Sequence, residues 1–263
     1  MDDKKLLVFP LLSGIVTIIV LLTFVLPLIV SGALMGVVPS GPVFYYGFLF
    51  LFYVASYFVV IFFNTALISC VNAKLNGHDM SVADGIANAA RHLPAILGWA
   101  ILSATVGLIL HILEERSGIL NQIVLSLIGG VWSLVTYFVV PVLILEDKGV
   151  FASIGESFSL IRKTWGESIV GSASIAIIFG VIGVIGALGV VAMLVLGNAM
   201  ILFAAVALFL LLVVVLAVVY GAMQGIYVTA LYGYAKTGII PSAFSRDLIA
   251  NAFVAKPYKP GTI

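Results

Sequence analysis

Six long apolar runs, separated by short polar stretches, set the pattern of the chain. They cover residues 6–34, 44–73, 95–113, 119–145, 168–196 and 199–235. Each is long enough to cross a hydrocarbon layer that takes about 20 helical residues. The runs are continuous rather than alternating, so they predict helices and not the strands of a barrel. The first is also longer than the apolar segment of a secretory signal, about 7–15 residues, and is expected to remain as an uncleaved span. The predicted fold is an all-α, polytopic membrane helix bundle, a single transmembrane domain over residues 1–263 with six transmembrane helices.

Between the spans the period changes. In residues 81–93, Ser81 and Asp84 have the spacing of a capping box, and Val82, Ile86, Ala89 and Leu93 recur at helical spacing. In residues 150–165, Ser153 and Glu156 repeat the box, and Ile154, Phe158, Ile161 and Trp165 repeat the stripe, each 72 positions on. Phe151 extends the second stripe by a turn. The same displacement lays the second span on the fourth and the third on the fifth, an internal repeat of span, surface helix and span. Residues 242–254 carry Phe244, Leu248 and Ala252 four apart, a weaker third copy whose return span would be the first run. Short amphipathic helices of this kind are expected to lie in the membrane interface, charges outward.

Composition agrees. Of 263 residues, 63% are hydrophobic and 9% charged, with a mean hydropathy of +1.29. That charge cannot build the polar shell of a soluble domain of this size. Numbering the connections alternately puts Lys4, Lys5, Lys74, Arg91, Lys148, Arg162, Lys163, Lys236, Arg246, Lys256 and Lys259 on one side and Arg116 on the other. The positive-inside rule then predicts both termini in the cytoplasm and a cell-membrane location. The net charge of +1 gives no sign of a nucleic-acid partner.

Candidate chemistry is sparse. His111 shares a helix face with Glu114 and Glu115, but ligands from one helix do not complete a metal shell, and no metal is expected. Cys70 is the single cysteine, so an internal disulfide is excluded. Asn64 and Gln224 lie within spans, where an amide needs a partner; they either bond between helices or line a polar path. Ladders of small residues run through Ser168, Ser172, Ala176 and Gly180, and through Gly221, Gly225, Thr229 and Gly233. They allow close helix approach, inside the chain or at an oligomer seam. The sixth run, about 37 residues and roughly 55 Å as a helix, exceeds the layer. It must tilt, bend or project, and a projecting end with Tyr232, Tyr234 and Lys236 could meet a soluble partner. Glu146 and Asp147 read as a helix end at the membrane surface. The expected partner surface comprises Arg91, His92, Glu146, Glu156, Arg162, Lys163 and Trp165. No catalytic triad, phosphate loop or carboxylate pair appears, so no enzyme activity and no cofactor are expected.

Residues 132–175, "WSLVTYFVVPVLILEDKGVFASIGESFSLIRKTWGESIVGSASI", carry a further signal: an apolar span with a late Pro141, then Glu146, a turn at Gly149, an amphipathic helix, and Thr164-Trp165-Gly166 opening the next span. This segment resembles a family of uncharacterised polytopic prokaryotic membrane proteins, the domain of unknown function 6159. It also looks like the membrane-domain group associated with glycerophosphoryl diester phosphodiesterases. The resemblance implies a fold and no reaction, since the phosphodiesterase chemistry belongs to a separate soluble domain. Two functions are expected from the whole. One is a non-catalytic scaffold, assembly partner or lipid-associated module acting through its cytoplasmic helices, with membrane lipids, another membrane or cytoplasmic protein, or a second copy as partner. The alternative is a transporter or channel for a small or lipid-like solute.

Overall fold

The computed structural model describes residues 4–35, 41–116, 118–163, 165–195 and 199–238. The surface helix expected at 242–254 lies outside them, and so do the side chains of Lys163 and Trp165. A 3-10 turn, Lys4–Leu7, leads into α1 (Val8–Met35); α2 (Pro42–Leu75), α3 (Val82–Arg91), α4 (Leu93–Glu115), α5 (Ile119–Val135), α6 (Val139–Leu145), α7 (Val150–Lys163), α8 (Trp165–Val195) and α9 (Ala199–Thr237) follow. The described residues contain no strand. Six helical segments are long and apolar enough to cross a membrane, as the hydropathy pattern predicts.

The fourth crossing is not one helix. Pro141 cannot donate to the carbonyl four residues back, and its ring crowds that carbonyl, which disfavours a regular helix through Tyr137. The chain instead closes α5 with short-range bonds, Thr136 N–H to Trp132 O at 3.0 Å and Tyr137 N–H to Leu134 O at 3.1 Å. It restarts at Val139, which places Pro141 in the first turn of α6, where its missing N–H leaves no gap in the ladder.

The order span, short helix, span occurs twice, as α2–α3–α4 and as α5/α6–α7–α8. The registers differ in detail. The returning spans open 72 residues apart, at Leu93 and Trp165, but the short helices open 68 apart, at Val82 and Val150. The extra turn falls at the front of α7 and removes the second capping box. Ser81 does cap α3, accepting from Asp84 N–H at 3.1 Å while Asp84 accepts from Ser81 N–H at 3.1 Å. Ser153 lies inside α7, fully buried, and donates to Gly149 O at 3.0 Å. The stripe shifts with it: Ser153, Ser157, Leu160 and Ile161 are buried, whereas Phe151 and Phe158 are exposed.

α2 is the hub, touching α1, α3, α4, α6 and α9. The tightly packed core sits toward the end that carries the N-terminal turn and the end of α9, hereafter the basic end. Ala66, Leu67 and Val71 of α2 meet Phe9, Ala89, Ile96, Val139 and Leu143 there. A smaller cluster joins Phe138 and Val142 to Leu160, Ile161 and Leu231. Away from this end α8 packs along α9, with Gly186 so close to Leu212 that a Cβ would lie 2.9 Å from its Cδ2. Large apolar side chains such as Ile177, Ile185, Leu188, Phe203, Leu208 and Leu211 face outward. Only a hydrocarbon surround or a further apolar surface makes such exposure stable.

Candidate functional site

The break in the fourth crossing leaves polar backbone that must find partners in an apolar setting. Ser157 supplies them from α7. Its buried hydroxyl accepts from Phe138 N–H at 3.0 Å and donates to Val135 O at 2.6 Å. One side chain thereby satisfies both sides of the break and fixes α7 against it. The sequence signal was Pro141 together with a serine on the buried face of the next helix.

Beyond the break, α6 ends at Glu146. Asp147 takes φ +50°, a left-handed conformation that suits the residue after a helix end and that Asp tolerates better than most. The chain then reverses through Gly149 into α7, which brings Glu156 back beside Glu146. The end of α9 arrives on the third side with Tyr232 and Lys236. The result is a closed ring of four charges. Lys148 Nζ lies 2.8 Å from Glu146 and 3.2 Å from Glu156; Lys236 Nζ lies 2.9 Å from Glu146 and 2.6 Å from Glu156. The Tyr232 hydroxyl donates to Glu146 Oε1 at 2.5 Å.

Two carboxylates face two ammoniums, so the ring has no net charge. Burial alone would raise the Glu146 carboxyl. Hydrogen bonds from Lys148, Tyr232 and Lys236 outweigh it and hold the group down at about 2. Lys236 and then Lys148 lower Glu156, and the two glutamates raise Lys148. A second tie runs to the first repeat. His92 Nε2 meets Asp147 at 2.8 Å and its Nδ1 meets Asn88 O at 2.8 Å. Both ring nitrogens face acceptors. α3 is itself fixed to α2, through Asn88 to Ser69 at 2.8 Å and through Gly85, where a Cβ would lie 2.6 Å from Cys70 Sγ.

The residues expected at a partner surface thus divide. Glu146, Glu156 and His92 are engaged within the chain, and the α9 end is not a free projection, because Tyr232 and Lys236 belong to the ring. Arg91 and Arg162 are exposed, Arg162 lying over the Phe158 ring at 5.8 Å. Asn64 and Gln224 line one cavity of about 240 Å³ between α1, α2 and α9. Gln224 donates to the Tyr220 hydroxyl at 3.1 Å. Gly221 and Gly225 form its back wall at close crossings, where added Cβ atoms would lie 3.1 Å from Pro10 and 2.3 Å from Leu67. A Cβ at Gly180 or Gly233 would meet nothing of another described element within 4 Å. At the opposite end His111 and Glu115, 3.2 Å apart, meet the Tyr45 and Tyr46 hydroxyls.

Six crossings, a helical break patched by a short helix, and an ionic ring at one end define a multi-pass membrane helix bundle. The model of the family of unknown function DUF6159 matches residues 43–242, and the chain belongs to that family. No curated protein and no solved structure matches the chain.

Proposed function

We propose that the protein is a non-catalytic, lipid-associated membrane module, inserted in the cell membrane with its basic end in the cytoplasm, and that it works through the cationic surface there. The observation that carries this is how the charges pair. Among the described acids of this end, Glu146 and Glu156 are neutralised in the ring, whereas Asp79, Asp84 and Asp147 are exposed, the last two hydrogen-bonded to Ser81 and His92. Lys4, Lys5, Arg91 and Arg162 remain exposed. Among the described residues the surplus facing outward is positive, which suits anionic lipid headgroups at the cytoplasmic leaflet.

The test is retention of phosphatidylglycerol by the purified protein, read by native mass spectrometry after reconstitution in mixed phosphatidylglycerol and phosphatidylcholine. Each cation near the surface contributes about 1 kcal/mol, so Arg91→Glu and Arg162→Glu, each a reversal of two charge units, should each lower retention about thirtyfold. Unchanged retention in the double variant defeats the reading. A second reading, passage of a lipid-like solute, is favoured by the convergence of Asn64 and Gln224 on one cavity. It requires flux in liposomes that Asn64→Leu or Gln224→Leu abolishes.

A further inference from the structure

A second and larger cavity, about 460 Å³, opens between α2, α4 and α5, on elements that line no part of the first cavity except α2. Its volume falls in the range of small-molecule sites, about 300–1,000 Å³. It runs from Trp99 to Leu110 along α4, roughly 16 Å at the helical rise. Gly107 and Gly129 keep it open. A Cβ at Gly129 would meet only Leu110 Cδ1, at 3.7 Å, and one at Gly107 would just touch the Tyr57 hydroxyl, at 3.4 Å.

The lining is unusual for its depth. Tyr57 sits near the middle of α2, and Ser103 about 15 Å into α4. Neither hydroxyl makes a hydrogen bond to a described residue, although Ser103 is buried. Hydrocarbon tails cannot satisfy such groups, and leaving them unmatched costs about 1–3 kcal/mol each. Ser133 and Thr136, also lining the cavity, already donate to backbone carbonyls at 3.0 and 2.7 Å. No Lys, Arg, His, Asp or Glu lines the site. The indoles of Trp99 and Trp132 stack at 6.0 Å and close one wall with flat aromatic surface.

We propose that this groove binds an uncharged lipid whose polar part is a carbonyl-bearing ring, of the isoprenoid quinone type. The two free hydroxyls donate to ring carbonyls, the indoles face the ring, and the apolar tail leaves through the open side toward lipid. A glycerolipid is a poorer occupant, because its esters sit near the headgroups rather than at the depth of Tyr57. The site lies within the spans and does not depend on the cationic face, so Arg91→Glu and Arg162→Glu leave it intact.

A decyl-substituted benzoquinone, which quenches indole fluorescence, tests this in phosphatidylcholine nanodiscs. The wild type should give saturable quenching. Gly129→Phe fills the groove and should leave only linear quenching from partition into the bilayer, while Gly130→Phe, which points into open space, should behave as wild type. Tyr57→Phe and Ser103→Ala keep the shape and should each raise the half-saturation concentration about threefold or more, as loss of one modest hydrogen bond requires. Thermal melting and gel filtration of each variant establish that it is folded. Linear quenching by the wild type, saturation unaffected by Gly129→Phe in folded protein, or a glycerolipid retained in the groove and not displaced by the quinone would each overturn the proposal.

Discussion

Replacing Glu146 by Gln is the most informative single change at the ionic ring. The carboxylate takes three short hydrogen bonds, from Lys148, Lys236 and Tyr232, with its side chain only 16% exposed. The amide keeps the shape but loses the charge, and leaves two ammoniums on Glu156 alone. Holding the carboxyl at about 2 against an unperturbed 4.5 corresponds to about 3 kcal/mol of stabilisation. Partial exposure of both lysines reduces this, so a loss of about 2 kcal/mol is expected. The direction with pH follows. A carboxyl whose folded-state value lies below its unfolded value stabilises fully above about 4.5, and that contribution disappears as pH falls toward 2. Glu156, also lowered, adds to the same acid limb. Unfolding by SDS titration, followed by far-UV circular dichroism between pH 7 and pH 3, measures both effects. The wild type should be flat down to about pH 5 and then weaken; Glu146→Gln should begin lower and weaken less. If the variant matched the wild type within about 0.5 kcal/mol at pH 7 and kept its acid slope, the ring would be a solvated surface cluster of little consequence.

Two other changes probe the frame. Ser157→Ala strands Phe138 N–H and Val135 O at the helical break, and should lower stability by about 2 kcal/mol in the same titration. Gly225→Ala places a methyl 2.3 Å from Leu67 Cδ2 and should lower the melting temperature, whereas Gly47→Ala, which meets nothing within 4 Å, should raise it slightly or leave it unchanged.

The spans were legible because their signal is summed over about twenty residues or more each, and hydrocarbon admits only helices or closed barrels. The α3 cap was legible because Ser81 and Asp84 act on each other within four residues. The ring was not. Glu146, Glu156 and Lys236 meet across 10 and 80 residues of chain, and the loop that joins them owes its course to a left-handed Asp147 that no local pattern announces. The second box misled for a related reason. Ser153 and Glu156 have the right spacing, but Val150 and Phe151 extend the helix ahead of them, and burial of Ser153 against the turn outweighs capping. Asn64 and Gln224 could be named as a pair from their depth alone. The hydroxyls of Tyr57 and Ser103 could not, because nothing in the sequence says which faces of α2 and α4 leave a gap.

α7 is clasped between the fourth crossing and the end of α9. A zero-length carbodiimide joins a carboxylate to an ammonium only when they touch, and Glu156 lies 2.6 Å from Lys236. In the membrane-embedded protein, peptide mapping should recover a Glu156–Lys236 amide, lost in Lys236→Met and in detergent-unfolded protein. Absence of that cross-link from folded protein, with Lys236 open to amine-reactive label at the rate of Lys4, would contradict it.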